Sequence, residues 1–190
     1  MEYLKNAKFI KSVFKKQDII ADDLPIFAMV GKSNVGKSSF INTLTNNRKL
    51  AKVAGSPGKT RSINYFEIDK KMYLVDLPGY GFSKMSLKEK KSINKLTDDF
   101  LNANINIKHI FFLVDIRHEP TENDRQMYDW ISSRDISFTI IANKADKLSK
   151  SQVQDSLKVI QKRLFASQDI VPFSSEHKIG VEEIIKKITS

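Results

Sequence analysis

The apolar run "LPIFAMV" (24–30) leads straight into "GKSNVGKSS" (31–39), and this junction restricts the fold more than any other stretch. Gly31 stands five places before Gly36, and Lys37 and Ser38 follow, which is the Gly-x-x-x-x-Gly-Lys-Ser spacing of a phosphate-binding loop. Such a loop needs a buried strand to deliver its first glycine and a helix to open at its end. Backbone N–H groups and the helix N-terminus then converge on one anion. The expected cradle is Gly31, Lys32, Ser33, Asn34, Val35, Gly36, Lys37, Ser38 and Ser39. Lys37 is the expected catalytic contact to the β- and γ-phosphates, and the Ser38 hydroxyl the expected ligand of Mg2+.

A second triplet of the same kind, Gly58-Lys59-Thr60, lies in "SPGKTRS" (56–62). Five places before Gly58 stands Val53, and no strand-like run feeds this loop. It cannot close around a phosphate in the same way, so it needs another role.

The rest of the chain alternates strand-like and helix-like segments. "SINYFEI", "MYLVDL", "HIFFLVDI", "SFTIIA" and "DIVPF" join "LPIFAMV" as strands, and amphipathic segments separate most of them. This predicts a three-layer α/β fold with helices on both faces of a mostly parallel six-stranded sheet. The pair joined by Asp69-Lys70-Lys71 reads as a hairpin, which places one antiparallel strand in that sheet. The residues before Leu24 are expected to add an edge strand. No linker or repeat divides the 190 residues, so a single domain over 1–190 is expected.

The Asp at the end of a second strand supplies the next part of a nucleotide site. In "YLVDLPGYG", the Asp76 carboxylate is placed to hold Mg2+ through water, with Leu77 and Pro78 leading to Gly79, whose amide would meet the γ-phosphate. "IIANKADK" selects the base. Asp146, after Asn143, Lys144 and Ala145, can accept two hydrogen bonds from guanine N1–H and its amine. Adenine offers no such pair and would leave a buried carboxylate unmatched, at a cost of about 1–3 kcal/mol. Lys144 would lie along the base plane, and Asn143 would tether neighbouring loops. The backbone around Phe173, Ser174 and Ser175 would donate to guanine O6. Taken alone, Asp146 also fits a helix start exposed to water.

GTP binding gives the second triplet its role. A GTP-operated loop needs a threonine between the first helix and Asp76 that completes the Mg2+ shell only when γ-phosphate is present. Thr43 and Thr45 fall within or at the end of the first helix, whereas Thr60 sits in a glycine-containing loop with Gly58, Lys59, Arg61 and Ser62 around it. Thr60 is therefore the expected switch residue and third metal ligand beside Ser38 and Asp76.

Lys and Arg outnumber Asp and Glu by 32 to 22, for a net charge of +10. This suits either a soluble lysine-rich surface or a polyanionic partner such as RNA. There is no cysteine, no run of about 18 apolar residues and no secretory pattern, so a cytoplasmic protein with no membrane contact is expected. His109, His118 and His177 show no ligand spacing and are expected at the surface or in loops. Trp130, on an amphipathic helix, is expected in the core. Asp115, Arg117, Glu119 and Asp124 fit either a local ion-pair cluster or a partner surface.

With these motifs placed, the chain resembles the EngB family of bacterial GTPases, also called YihA or YsxC, over nearly its whole length. The carrying stretches are "GKSNVGKSSFIN", "GKTRSINYF", "DLPGYGFSK" and above all "VDIRHEPTENDRQMYDW", which has no general role in GTP binding. The resemblance implies a compact GTPase domain and a function in large ribosomal subunit assembly and normal cell division. It implies as partners the large subunit or its precursors, with the protein a monomer. One position departs, since Asn143 stands where many relatives carry threonine; asparagine is the commoner choice across GTPases. Tyr80 stands where many small GTPases carry a water-orienting glutamine, which implies that intrinsic hydrolysis is slow or depends on help from a partner or ion. Asn34 resembles the asparagine that holds K+ in related potassium-activated GTPases; the alternative is a loop residue satisfying its own backbone. Two other functions fit parts of the pattern: a GTP-dependent division scaffold that never meets RNA, and a phosphotransferase built on the same loop.

Overall fold

In the computed structural model, residues 3–52, 61–81, 85–103 and 105–190 are described. The strands are β1 (Lys8–Val13), β2 (Ile26–Gly31), β3 (Ile63–Ile68), β4 (Met72–Asp76), β5 (Ile107–Asp115), β6 (Phe138–Asn143) and β7 (Ile170–Phe173). The helices are α1 (Lys37–Leu44), α2 (Leu87–Leu101), α3 (Glu122–Ser132), α4 (Lys150–Leu164) and α5 (Val181–Thr189). All seven strands form one sheet in the order β1-β3-β4-β2-β5-β6-β7.

Six strands were expected in the main sheet, and the seventh is the edge strand β1. It pairs antiparallel with β3, which pairs antiparallel with β4, while the other pairings are parallel. β3 is thus the one strand running against the rest. Its reversal follows from the two-residue turn Asp69-Lys70, where both residues take positive φ (52° and 57°), the geometry whose twist suits a tight hairpin.

The central strands explain why the helices divide between two faces. Along β2, Ile26, Ala28 and Val30 point to one core, and Phe27 and Met29 to the other. β5 repeats this with Ile110, Phe112 and Val114 against Phe111 and Leu113. A strand buried on both faces must be covered on both. α2, α3 and α4 cover the first face through Phe100, Ile131 and Leu164. α1 and α5 cover the second through Phe40, Leu44, Ile184 and Ile188. Phe40 lies 4.7 Å from Phe173 and 5.6 Å from Phe111, ring centre to ring centre. Burying each such ring contributes about 1.5–3 kcal/mol, enough to hold α1 firmly against the sheet.

The helix starts are encoded locally. Ser86, Thr121 and Ser149 each cap a helix, with Glu89, Asp124 and Gln152 returning a bond to the cap backbone. α1 is different. Its N-cap is Gly36 at φ 110°, with no side-chain cap, so its first N–H groups remain available to a ligand.

Candidate functional site

Five parallel strands end on the same side of the sheet, at Gly31, Asp76, Asp115, Asn143 and Phe173. Ligands of open α/β sheets bind at that carboxyl edge. The sheet order sets the phosphate loop, after β2, between the ends of β4 and β5.

Lys37 opens α1 and is 7% exposed. Its Nζ lies 3.7 Å from Asp76 Oδ1, and the Ser38 hydroxyl donates to Asp76 Oδ2 at 3.1 Å. Asp76 is 2% exposed, and its Oδ1 has no hydrogen-bond partner among the described residues. Burial pushes its carboxyl up, with Lys37 and Ser38 pulling the other way. An orphaned buried carboxylate oxygen beside a serine hydroxyl and a phosphate loop fits a hard cation with oxygen ligands, as Mg2+ requires. Thr60, Gly58 and Lys59 lie outside the described residues.

Two glycines are demanded by this packing. At Gly36 a Cβ would run into the Asn143 amide, and its φ of 110° is one that other residues rarely adopt. At Gly79 a Cβ would stand 2.9 Å from the Ser33 backbone and 3.3 Å from Lys37 Nζ. The segment after β4 therefore lies directly on the phosphate loop, and Ser33 N–H donates to the Tyr80 carbonyl at 2.9 Å. Tyr80 in turn donates its hydroxyl to Asp124 Oδ1 at 2.7 Å. Burial, together with Asp124, pushes the Tyr80 phenol well up, so it stays protonated.

The base loop is bound to the phosphate loop. Asn143 Nδ2 donates to the Val35 carbonyl at 2.8 Å, and Lys144 Nζ donates to the Asn34 carbonyl at 3.2 Å. Both Asn34 and Lys144 hold left-handed backbone, at φ 64° and 69°. Lys144 Nζ also reaches Asp115 Oδ2 at 2.8 Å, while Arg117 grips both Asp115 oxygens at 2.9 and 2.8 Å. Burial pushes the Asp115 carboxyl up, but the bonds from Arg117 and Lys144 outweigh it and hold it well below the usual range. Asp115 thus stays charged.

Asp146 accepts from Ser174 Oγ at 2.6 Å and pairs with Lys147 at 2.8 Å. These contacts outweigh its burial and keep the carboxyl low. Ser174 N–H is already used on the Ile179 carbonyl, so Ser174 serves Asp146 through its hydroxyl. The expected amide contact to O6 from that pair would therefore have to come from Ser175. The Ser175 hydroxyl is buried without a partner among the described residues.

Some expectations change. Val35, Leu77, Ala145 and Phe173 turn their side chains into the core, so anything they offer a nucleotide comes from backbone. Arg61 pairs with Glu89 at 2.8 Å, and Ser62 bonds to Asn64; their side chains face α2 and β3. His109 is not a loop residue: it is half-buried on β5, its Nε2 2.8 Å from the Thr139 hydroxyl. Trp130 is half-buried beneath Arg134, whose guanidinium lies 4.3 Å from the ring centre. Of the four charges at and after the end of β5, Asp115 and Arg117 stay paired and Asp115 also joins the base loop, while Glu119 meets Arg163 and Asp124 caps α3. Asp115 was not expected in the site. Its signal was its place at the end of a parallel strand, as with Asp76 and Asn143, the latter its partner in the register.

Residues 26–144 match a family model described as "50S ribosome-binding GTPase". The probable GTP-binding protein EngB of Clostridium kluyveri is 46% identical over 189 residues, covering 98% of this chain and 96% of that protein. Its counterpart in Caldanaerobacter subterraneus subsp. tengcongensis is 42% identical over 184 residues, covering 96% and 95%. A crystal structure of a probable GTP-binding protein EngB superposes with a TM-score of 0.70 at 25% identity, over 86% of this chain and 96% of that one. Era of Aquifex aeolicus bound to GDP and AlF4- gives the same score and identity, over 88% of this chain and 56% of that one. With the family model matched over more than half of its length and relatives 42% and 46% identical over nearly all of it, the chain belongs to the EngB family of GTP-binding proteins.

Proposed function

We propose that this protein is a Mg2+-dependent GTP switch that hydrolyses GTP slowly and acts in assembly of the large ribosomal subunit. The carrying observation is the joint between the two halves of the site. Asp146, held charged by Lys147 and Ser174, is the guanine acceptor, and Asn143 and Lys144 couple its loop to the backbone of the phosphate loop. Base identity and phosphate position are then read by one rigid unit.

Ser38 and Asp76, with Thr60 from the first switch, would hold the metal. Bound there, Mg2+ supplies positive charge to the β- and γ-phosphate oxygens. The chain's own part is to orient. Lys37 would face the phosphates from a buried position, the open N-terminus of α1 would direct its amides at them, and Gly79 lies against Lys37 with no room for a side chain between them. Slow turnover follows from Tyr80, whose hydroxyl and carbonyl are both engaged and leave it poorly placed to orient water. By resemblance, the same function includes K+ beside Asn34, a requirement in cell division, and action as a cytoplasmic monomer.

The ribosomal part is supported by the description of the matching family model and by the net charge of +10. Co-sedimentation with purified large subunits and their precursors tests it, with GTP, GDP and a non-hydrolysable GTP analogue compared. Tighter binding in the GTP and analogue states is expected, by about 5- to 150-fold for a typical coupling between two sites. Equal binding in all states would remove the switch, and capture of division proteins without subunits would favour the scaffold.

A further inference from the structure

We propose that one edge of the sheet, strand β1 and the turn after it, is a platform for single-stranded RNA; as the partner surface of the ribosomal switch, it rests on the function proposed above. Phe9 is 51% exposed and Phe14 63% exposed. Exposed Lys15 and Lys16 follow Phe14 in the turn, and exposed Lys8 and half-buried Lys11 flank Phe9 along the strand, on its other face. Phe9 lies near the start of β1 and Phe14 directly follows its last residue, Val13, so the two rings are separated by about one short strand, roughly 10–15 Å at about 3.3 Å per residue with Ile10 bulged, a span that a few nucleotides can cover.

Lysines on an edge strand have a simpler use, which is to prevent edge-to-edge pairing between molecules. Two exposed phenylalanines on the same edge work against that use, because Phe14 leaves most of its side chain in water and Phe9, tilted against Phe66 at 5.7 Å between ring centres, still leaves about half. They call for a cover. The lysines determine its charge: Lys8 has Glu67 opposite in the register, Lys16 approaches Asp99 only at 3.9 Å, and the cluster remains positive. Alternating cations and aromatic rings suit a polyanion whose bases stack and whose phosphates meet the ammonium groups.

The backbone argues against a peptide strand as the occupant. Register shifts between Phe9 and Lys11 leave Ile10 as a bulge. A bulge interrupts the regular N–H and C=O ladder that an added strand would need, whereas stacking does not depend on that ladder. The placement also connects to the nucleotide. Val13, at one end of β1, pairs with Ile63, two residues after Arg61 of the first switch stretch.

The test uses fluorescence anisotropy with a labelled 12-nucleotide single-stranded RNA, a duplex of the same length, and the full chain loaded with a GTP analogue. Binding to purified large subunits is measured separately. Preference for the single strand is expected, with F9A/F14A weakening it tenfold or more and F14W retaining it, since any aromatic face can stack. Changing Lys8, Lys11, Lys15 and Lys16 to Gln should flatten the log–log salt dependence by about 0.7 for each lysine that meets a phosphate. GTP affinity within twofold of the parent shows that each variant is folded; should F9A/F14A fail this, F14A alone decides. No single-strand binding, or binding unchanged in the phenylalanine variants, overturns the platform. Loss of subunit binding in F9A/F14A with RNA binding intact would assign the edge to a protein partner instead. Phenylalanine-dependent RNA binding by a chain that ignores subunits would keep the platform and remove the ribosomal role.

Discussion

Tyr80 donates its hydroxyl hydrogen to Asp124 Oδ1 across 2.7 Å, which ties the residue after Gly79 to the first turn of α3. Asp124 has a second task on the same helix: its Oδ2 accepts from the Thr121 N–H at 2.7 Å and from its hydroxyl at 2.6 Å. The segment after β4 is therefore anchored to a capping box. It is held at its backbone by Ser33 and at its side chain by Asp124.

Tyr80→Phe should lower stability by about 1–2 kcal/mol, since a buried bond to a carboxylate is lost. Intrinsic GTP hydrolysis should change less than twofold, because this tyrosine does not position water. Urea unfolding and single-turnover hydrolysis measure the two effects. A hundredfold fall in turnover would make Tyr80 a participant in the chemistry.

Asp146→Asn should exchange guanine preference for xanthine. The asparagine amide donates where xanthine carries an oxygen in place of the guanine amine, and Ser174 can still bond the side-chain oxygen. Competition between guanosine and xanthosine triphosphates checks this. Equal losses for both would mean that Asp146 only organises its own turn with Lys147 and Ser174.

Asp115→Asn should weaken GDP and GTP binding by the same factor, up to about 5-fold. It removes the charge that holds Lys144, a half-buried pair worth up to about 1 kcal/mol, and Lys144 belongs to the loop that carries Asp146. Isothermal titration with both nucleotides distinguishes the cases. A loss confined to GTP would place Asp115 with the γ-phosphate machinery.

His109 predicts an acid sensitivity. Burial, with Lys187 nearby, pushes its pKa down to about 4, below the ordinary value of about 6.5. The unfolded chain therefore takes up a proton at His109 that the folded chain refuses. The stabilisation is present above pH of about 6.5 and is lost as pH falls towards about 4. The ring is only partly buried, so the loss should stay within about 1–2 kcal/mol. Urea midpoints at pH 7 and 4.5 should fall less in His109→Gln than in the parent, and equal falls would count against it.

Spacing alone was enough to locate the phosphate loop, because Gly31, Gly36, Lys37 and Ser38 act through local backbone and all lie within eight residues. The two-sided burial of β2 and β5 was equally visible, since a continuous apolar run suits a strand covered on both faces. The division of labour in the base loop was less legible. Nothing in "FSSEHKIG" says that Ser174 spends its amide on Ile179 and its hydroxyl on Asp146.

Local pattern carries information over a helical turn or a strand repeat, and that range determined the element types, the caps and the order of the motifs. The bonds that join the site span 110 residues between Asn34 and Lys144, 108 between Val35 and Asn143, and 44 between Tyr80 and Asp124. Only the sheet order, with β5 between β2 and β6, brings the ends of those strands together. The same holds for the edge: "KFIKSVF" reads as a strand of mixed polarity, and its exposure to water was decided by β3 turning back to leave β1 outermost.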